Sequence, residues 1–472
     1  MSKKLKFLVW IGITLSLFAS LLFIRLYANN GLSGDQVHYL VMGNSLIKDG
    51  DFDLKNDYQP ERYNAFYSDK LDPHIPTRQF NQDSPKLYSL HNPGLPILIS
   101  PFMAIAGYKG AIILMIFISI LSLLLTYFWA EKVCKNKKAA LFATFVLSVS
   151  VFYLSLEGYI FPNLLIAVMT LGALLILENK NRPLWQLLLL GILLGAGPFI
   201  HVKTLMSFAM IGLIAIIQIL KNKKSWKNKS AELSILIVPA LILIAIFEWK
   251  LYEWYGVFLP NQTFAGDILF LVSPFKSLAA IFFDSTKGLF INNPALILIF
   301  LGLPLWFKEN RWQIFRIILI LGPSFILQLS FLDWWGGWSP SGRYLMDMLP
   351  VLIPALAFIY PLLKNLTFKI FAYILIGLQI IFSLIYILSK STWVWSGVRN
   401  PIFEIIQSRI GLAIDRFLPQ FSPELHLKNT YGGVFLTLFI IIAATLLVSG
   451  VKLSRQKSEG PYPKSSKNLS PL

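Results

Sequence analysis

The segment from residue 33 to residue 57, SGDQVHYLVMGNSLIKDGDFDLKND, opens the first long polar stretch of the chain. An apolar run precedes it, and most of the sequence after residue 93 is apolar. Ser33 and Gln36 have the spacing of a helix capping box, and apolar residues follow at helical spacing. The segment therefore predicts a short amphipathic helix on the membrane surface. Asp35, in its first turn, places a carboxylate at the protein–water boundary close to the bilayer.

The composition identifies the class of protein. Apolar residues make up 56% of the chain and charged residues 14%, with a mean hydropathy of +0.63. The net charge of +18 comes from lysines and arginines in short clusters between apolar runs, which is typical of cytoplasmic loops. We therefore expect a multi-pass protein of the cell inner (plasma) membrane, with both termini cytoplasmic and no nucleic-acid partner. The single cysteine, Cys134, excludes an internal disulfide.

Twelve apolar runs are each near the roughly 20 residues that a bilayer requires. They lie at 7–27, 109–130, 139–156, 163–178, 184–200, 203–220, 232–250, 288–307, 312–332, 344–361, 368–389 and 432–450. The predicted fold class is an all-α polytopic membrane protein of about 12 transmembrane helices with a long first outer loop. Residues 1–450 form the predicted transmembrane domain, including an uncleaved first span. Residues 451–472 form a disordered basic cytoplasmic tail.

Three predicted outer loops, 28–92, 251–287 and 390–431, are too long to be simple turns. The first contains nine acidic residues and three histidines. The third contains PIFEIIQSRIGLAIDRFL, whose predicted apolar face lies along the membrane interface. That face comprises Phe403, Ile406, Ile410, Leu412 and Phe417. The proline-rich segment 93–107 is apolar but too short to cross, which favours a re-entrant or interfacial piece.

The ionisable residues indicate where chemistry takes place. A secondary transporter keeps such residues near the middle of the membrane and often shows repeat symmetry, and neither pattern is found in this sequence. Polar residues collect instead at the predicted outer ends of the spans, which favours a reaction at the outer interface. These residues are Asp35, His38, His91, Glu157, Lys203, Lys287, Asp333 and Arg343.

Three residues are candidates for acid–base catalysis. Asp35 is the candidate general base, although an acid in a first helical turn also complements the helix dipole. His38 lies one turn further on the same face, where a packing role is the alternative. Glu157 is either a second carboxylate partnering Asp35 or a solvated helix end.

Basic and aromatic residues form the candidate substrate-binding set. Arg343 stands in the glycine-rich stretch WWGGWSPSGRY, where a guanidinium can bind a phosphate bidentately and tryptophans can contact an isoprenoid or a sugar. An aromatic belt with an Asp–Arg pair is the alternative. Lys203 and Lys287 either join the site or extend to lipid headgroups. The full set is Arg343, Lys287, Lys203, His91, Trp334, Trp335 and Tyr344.

Four aspartates in the first loop resemble the start of a calcium loop, at positions 49, 51, 53 and 57. Leu54 stands where that motif needs glycine, and Pro60 stands where it needs glutamate. We therefore interpret these acids as solvated turn residues. No cofactor is expected; a divalent metal is compatible with the sequence but not required by it.

Four blocks, in order, resemble the GT-C superfamily of membrane glycosyltransferases. They are GDQVHYLVMGNSL after the first span, HNPGLPIL, KGLFINNPALIL at the eighth span and WWGGWSPSGRYLMDMLP at the tenth. The likeness is to bacterial protein-mannosyltransferase and aminoarabinose-transferase-like enzymes, which use polyprenyl-phosphate sugars. The sequence departs from their pattern at Gln36 and Asn163, where a second acid is common. If the reaction uses two carboxylates, Glu157 would have to supply the second one.

The resemblance implies an inverting transfer that is metal-independent or weakly metal-assisted. Asp35 matches the aspartate that activates the acceptor hydroxyl, and Arg343 and Lys287 are the best matches for phosphate-binding residues. The implied partners are a polyprenyl-phosphate sugar, membrane lipids and a lipid, glycan or protein acceptor. Asp35 and Arg343 are expected to face one cavity on the outer side. The alternatives are a twelve-helix secondary transporter and a polysaccharide polymerase or ligase.

Overall fold

The computed structural model describes most of the chain between residues 32 and 455. The described residues are 32–59, 61–75, 86–256, 258, 274–330, 334–337, 339–389, 399–421 and 431–455. Helices and turns account for their regular structure, and no strand occurs among them. The predicted first span at 7–27 lies outside these residues, as does the tail from residue 456. The uncleaved first span and the disorder of the tail beyond residue 455 therefore stay predictions, whereas residues 451–455, predicted to begin that tail, belong to the helix Gly432–Arg455.

Among the described residues, six helices are long and apolar enough to cross a membrane. They are Tyr108–Cys134, Thr204–Lys221, Trp226–Tyr255, Arg311–Leu329, Leu366–Leu388 and Gly432–Arg455. Shorter apolar helices lie at Gly94–Ala106, Asn163–Leu177, Leu184–Ile200 and Leu349–Lys364. The remaining helices of ten residues or more are Asp35–Lys48, Lys137–Ser148, Pro274–Phe283, Ile299–Glu309 and Pro401–Ile410. The prediction of an all-α polytopic membrane protein is confirmed, and the number of spans stays a prediction.

Packing divides the chain into two compact units. The first comprises the described residues of Met1–Leu121, Leu156–Val272 and Pro323–Asp333. The second comprises those of Ser122–Ser155, Ser273–Gly322 and Trp334–Leu472. Asp35, His38, His91, Glu157 and Lys203 belong to the first unit, whereas Lys287, Arg343 and the aromatic residues around it belong to the second.

In the first unit, the helix Asp35–Lys48 packs against the helix Gly94–Ala106. Gly43 makes this contact possible, because a Cβ there would come within 2.8 Å of the Met103 sulfur. Every residue from Gln36 to Gly43 is buried, so the prediction of an amphipathic surface helix is wrong. The capping box is wrong too: Gly34 is the N-cap, and no side chain caps this end.

The end of the first loop is tied to the helices that follow it. The side-chain amide of Asn92 donates a hydrogen bond to the Pro198 carbonyl at 2.8 Å. The Tyr255 hydroxyl donates one to the Ser89 carbonyl. The helix Leu184–Ile200 packs against the helix Trp226–Tyr255. In membrane proteins, small residues at such contacts let the two helix backbones approach closely. These contacts hold the segment around His91 in place.

In the second unit, three predicted spans are interrupted. The run 139–156 is broken after Ser148, and its next turn, Val151–Leu154, begins at the side-chain cap Ser150. The run 288–307 breaks at Asn293, before a 3₁₀ turn that starts with proline. The run 344–361 contains three prolines, and they divide it into short helical pieces. Proline lacks a backbone N–H donor, and its ring kinks or interrupts a helix.

The predicted interfacial face of the third outer loop is also corrected. The helix Pro401–Ile410 ends at Gly411, whose φ of 73° is left-handed. Ile402 and Phe403 are buried in a core cluster with Ile406 packed against it, while Ile410 is 70% exposed. Leu412 and Phe417 follow the helix and are exposed. The five residues therefore do not share one face.

Candidate functional site

The first candidate cluster is built at the start of the helix Asp35–Lys48. Gly34 precedes it with φ 56° and ψ −140°, a conformation that favours glycine. That turn makes Asp35 the first helical residue and leaves it partly exposed. The helix then carries His38 one turn further, where its side chain is buried. The glycine before the aspartate is thus a structural requirement of this turn.

Three histidines from distant parts of the first loop meet beside Asp35. The His38 ring stacks on the His74 ring, with centroids 3.8 Å apart and an angle of 17° between the planes. Nδ1 of His74 lies 3.3 Å from Nε2 of His91. The His38 Nδ1 is 2.8 Å from the Tyr58 hydroxyl. Burial, together with the neighbouring His74 and His91, lowers the pKa of His38 to about 2, and Asp35 opposes that decrease.

The pattern of ligand atoms in this cluster fits a cation. An Asp35 carboxylate oxygen and one nitrogen each of His74 and His91 lie within 4.8 Å of one another. His74 is exposed, and Asp35 and His91 are partly exposed, so the three groups are reachable from solvent. His74 and Tyr58 were not predicted to be site residues. The signal was the presence in one loop of three of the chain's five histidines.

Gln36 and Glu157 lie in the same unit. The Gln36 side-chain oxygen accepts a hydrogen bond from the backbone N–H of Ile160 at 3.1 Å, which ties the helix to the turn after Glu157. Glu157 is 1% exposed, so the alternative of a solvated helix end is wrong. Its Oε1 accepts no hydrogen bond from the described residues. Burial raises the pKa of the Glu157 carboxyl to about 8.

Lys203 is the N-cap residue of the helix Thr204–Lys221. Its carbonyl accepts a hydrogen bond from the Ser324 hydroxyl at 3.2 Å, and the side chain is partly exposed. A substrate role for this lysine stays a prediction.

The second candidate site is a small cavity in the second unit. The residues around it come from the end of one helix and from two loops. They are Ile281, Lys287, Trp334, Trp335, Gly342, Arg343, Tyr344 and Leu345. Five of the seven residues predicted to bind substrate therefore line one cavity.

Lys287 is buried at this cavity and held by backbone carbonyls. Its ammonium donates a hydrogen bond to the Gly337 carbonyl at 3.0 Å and another to the Ser339 carbonyl. The alternative in which this lysine extends to lipid headgroups is therefore wrong. The turn that carries it is fixed by Asp284, whose Oδ1 accepts the backbone N–H of Thr286 and of Lys287. Burial raises the pKa of Asp284, and those hydrogen bonds oppose the increase.

Arg343 begins a 3₁₀ turn immediately after Gly342, which has a φ of 69°. A Cβ at Gly342 would lie 2.6 Å from the Phe152 ring, so both conformation and space require glycine. Arg343 is 8% exposed, and its guanidinium carbon lies 5.6 Å from the Tyr344 ring centre. Trp334 and Trp335 pack edge to face, 5.8 Å apart. Asp333, predicted to lie nearby, is outside the described residues.

A buried polar network supports the loop that carries Arg343. The Asn292 side-chain amide donates to the Ser341 hydroxyl at 3.1 Å, and the Ser341 hydroxyl donates to the Lys287 carbonyl at 3.0 Å. The Asn400 amide donates to the Asn292 side-chain oxygen at 2.7 Å. Asn292 lies in the block KGLFINNPALIL and Ser341 in the block WWGGWSPSGRYLMDMLP, but these hydrogen bonds were not predicted. They explain why the two blocks meet at one cavity.

The four first-loop acids do not converge on one point. Asp49 pairs with Arg62 at 2.6 Å. Asp51 accepts a hydrogen bond from the Ser45 hydroxyl, and Asp53 accepts from the backbone N–H of Leu87. Asp57 is buried beside Asn44. Because Asp57 is buried, its interpretation as a solvated turn residue is wrong.

The two candidate sites belong to different units, the Asp35 cluster to the first and the Arg343 cavity to the second. The prediction that Asp35 and Arg343 face one cavity therefore stays a prediction.

Comparison with known proteins gives little further information. Neither a protein-family model nor a curated protein matches the chain. Among solved structures, the chain is similar to the archaeal oligosaccharyltransferase AglB from Archaeoglobus fulgidus, in complex with an inhibitory peptide and a dolichol-phosphate. The identity is 13% and the TM-score is 0.38, over 94% of this chain and 55% of AglB. The chain thus spans about half of that protein, and a likeness this distant does not bear on activity.

Proposed function

We propose that the chain is a membrane glycosyltransferase that moves a sugar from a polyprenyl-phosphate donor to an acceptor at the outer membrane face. The observation that carries this proposal is the cavity where two buried cations, Lys287 and Arg343, meet two tryptophans. The order of sequence blocks that resembles GT-C enzymes supports it independently. The acceptor is a hydroxyl group of a lipid, a glycan or a protein.

The two cations favour an anionic ligand. A buried ammonium and a buried guanidinium beside a cavity offer charge-assisted hydrogen-bond donors to phosphate oxygens. The backbone carbonyls of Gly337 and Ser339 fix the Lys287 ammonium at the cavity. The guanidinium of Arg343 provides the fork of donors that fits phosphate oxygens. We therefore assign these residues to the donor phosphate.

The aromatic residues favour a lipid-linked phosphate over a free one. Trp334 and Trp335 line the cavity beside the charged groups, and tryptophan is suited to a boundary between polar and apolar surroundings. The cavity is small, so a phosphate enters it only if the side chains at its mouth shift. In this proposal the isoprenoid lies along the aromatic residues, and the sugar lies outside the cavity.

The proposed reaction is an inverting displacement. The Asp35 carboxylate takes the proton of the acceptor hydroxyl while that oxygen forms a bond to the anomeric carbon of the sugar. The bond between the anomeric carbon and the phosphate oxygen breaks, and its electron pair leaves with the polyprenyl phosphate. Lys287 and Arg343 stabilise the charge that develops there. General base catalysis of this kind contributes roughly 10²–10⁴-fold.

The remaining predicted catalytic residues take lesser roles. Glu157 has a pKa of about 8 and keeps its proton at neutral pH, so we assign it no proton-accepting step. His38 is buried and bonded to Tyr58, so it positions its neighbours and does not contact the substrate. Lys203 stays a candidate for the donor headgroup.

A direct test uses the purified full-length chain in lipid vesicles with a polyprenyl-phosphate sugar labelled on the sugar. We expect protein-dependent release of polyprenyl phosphate and recovery of the label on an acceptor. Arg343→Gln should reduce that release at least about tenfold, because a charged hydrogen bond to phosphate contributes about 1.5–3 kcal/mol. Arg409→Gln, at an exposed position, serves as the matched control. Intact donor, or equal release by both variants, would contradict the proposal; translocation of intact donor would favour a transporter.

A further inference from the structure

We propose that Asp35, His74 and His91 bind one divalent transition-metal ion, with Zn²⁺ as the best fit. The inference goes beyond the proposed sugar transfer and does not depend on it. The family resemblance implies a transfer that is metal-independent or weakly metal-assisted, and it assigns no metal ligands in this chain.

The spacing of the two imidazole nitrogens is the first argument. Nitrogens bound to Zn²⁺ at 2.0–2.1 Å with tetrahedral angles are about 3.3 Å apart. Nδ1 of His74 and Nε2 of His91 are 3.3 Å apart. A carboxylate oxygen of Asp35 and one ring nitrogen each of His74 and His91 lie within 4.8 Å of one another. One atom from each of the three side chains is thus near enough to share an ion.

The donor types select the kind of ion. Mg²⁺ and Ca²⁺ prefer oxygen ligands, whereas imidazole suits Zn²⁺ and other first-row transition metals. Two imidazoles and one carboxylate form a mixed set that is common at zinc sites. The four first-loop aspartates that resembled a calcium loop have separate partners, so they do not provide a competing oxygen site.

Aromatic contacts orient the proposed ligands. His38 stacks on His74 and is itself anchored by the Tyr58 hydroxyl. The ring of Tyr39 lies 4.8 Å from that of His91. Such outer contacts fix the ring orientation of ligating histidines, and their loss typically weakens metal binding 10–100-fold. Tyr39 and His38 both stand on the helix that Asp35 begins, so this helix supplies one proposed ligand and the ring contacts to the other two.

The exposure of the site indicates its use. Three protein ligands leave at least one position of a tetrahedral ion open, as in catalytic zinc sites. His74 is exposed and the other two ligands are partly exposed, so a small molecule can reach that position. An ion there would lower the pKa of a bound hydroxyl group. A carboxylate has two oxygens, so ligation of one leaves the other to accept a proton.

A simpler explanation is a hydrogen bond between His74 and His91, with one nitrogen donating to the other. That arrangement needs no ion, and it predicts no measurable Zn²⁺ affinity. The two explanations therefore differ in a binding measurement.

The test uses the full-length chain purified in detergent with an affinity tag that contains no histidine. After removal of metal with a chelator, Zn²⁺ is titrated in competition with a chromophoric chelator, and no sugar donor is present. We expect one Zn²⁺ per chain and at least about 100-fold weaker binding in His74→Ala and His91→Ala. His201→Ala, a histidine outside the cluster, should bind as the wild type does. Absence of binding, or equal binding by all variants, would overturn the proposal.

A second measurement needs no variant and so does not depend on variant folding. Diethyl pyrocarbonate modifies accessible histidines, and mass spectrometry identifies the sites. Zn²⁺ should protect His74 and His91 in the wild-type chain, whereas Mg²⁺ should not. Equal modification of both histidines with and without Zn²⁺ would contradict a metal site.

The failure of either proposal can be recognised separately. Zn²⁺ binding without donor release would support the metal site and reject sugar transfer. Donor release by a chain that binds no Zn²⁺ would support sugar transfer and reject the metal site.

Discussion

The first-loop cluster and the aromatic cavity differ in the charge that they collect. Around Asp35, one carboxylate and the imidazoles of His74 and His91 lie at a partly exposed surface and favour a cation. Around Arg343, a lysine and an arginine are buried beside tryptophans and favour an anion. Both sites begin at a glycine with positive φ, Gly34 or Gly342. Under the proposed function the two sites have different roles: the first activates the acceptor hydroxyl and the second binds the donor phosphate.

The largest expected effect comes from removing the charge of the first site. Asp35→Asn retains the size of the side chain but cannot accept the acceptor proton, so turnover should fall by roughly 10²–10⁴-fold. Donor binding should not change, because the cavity of the second unit is intact. Sugar transfer at saturating donor measures the effect, with Asp69→Asn, an exposed first-loop acid, as control. Wild-type turnover in Asp35→Asn would remove the proposed base.

A large effect on stability is expected at the second site. Gly342→Ala places a Cβ in a left-handed conformation and 2.6 Å from the Phe152 ring, so the backbone and the ring must both move. We expect a loss of roughly 3 kcal/mol in the free energy of unfolding. Thermal unfolding in detergent measures it as a lower Tm. Gly377→Ala, in a helix with nothing near the added Cβ, should cause no such loss, and equal Tm values would contradict the argument.

A smaller effect tests the geometry of the phosphate contact. Arg343→Lys keeps the positive charge but loses the fork of donors, so the donor KM should rise about tenfold. The turnover at saturating donor should change little. Donor saturation curves measure both constants, and Arg409→Lys is the exposed control. An unchanged donor KM would mean that Arg343 supports the loop and does not bind phosphate.

The smallest effect concerns pH. Glu157 has a folded pKa of about 8 against an ordinary value of 4.5, because it is buried. The unfolded chain releases this proton at lower pH than the folded chain, so the stabilisation is complete below pH 4.5 and is lost as pH rises through 8. The wild-type Tm should therefore decrease more than that of Glu157→Gln between pH 5 and pH 8. Parallel Tm curves would show that this carboxyl does not titrate in that range.

The helical class and the second site were largely predictable from the sequence. Long apolar runs require helices in a bilayer, so the helices Thr204–Lys221 and Leu366–Leu388 lie where hydropathy places them. Arg343 and its aromatic neighbours are close in sequence, and a tight glycine turn keeps them together. Lys287 was included in the predicted substrate-binding set because its sequence block, KGLFINNPALIL, also resembles GT-C enzymes.

Other features required three-dimensional information. Asp35, His74 and His91 are separated in sequence, and periodicity does not report on contacts across a loop. The helix Asp35–Lys48 looked amphipathic because its polar residues were assumed to face water. Gln36 and His38 are instead buried, with partners at Ile160 and Tyr58. Asn293 lies where the predicted span 288–307 is interrupted. Its side-chain oxygen accepts a hydrogen bond from the backbone N–H of Phe152, a residue distant in sequence.

The division of roles is tested most directly by donor saturation curves for Asp35→Asn and Arg343→Lys, measured side by side with the wild type in one vesicle preparation. The account predicts that Asp35→Asn lowers kcat and leaves the donor KM unchanged, whereas Arg343→Lys raises the donor KM and leaves kcat nearly unchanged. If both substitutions change the same constant, or if Asp35→Asn turns over at the wild-type rate, the account is contradicted.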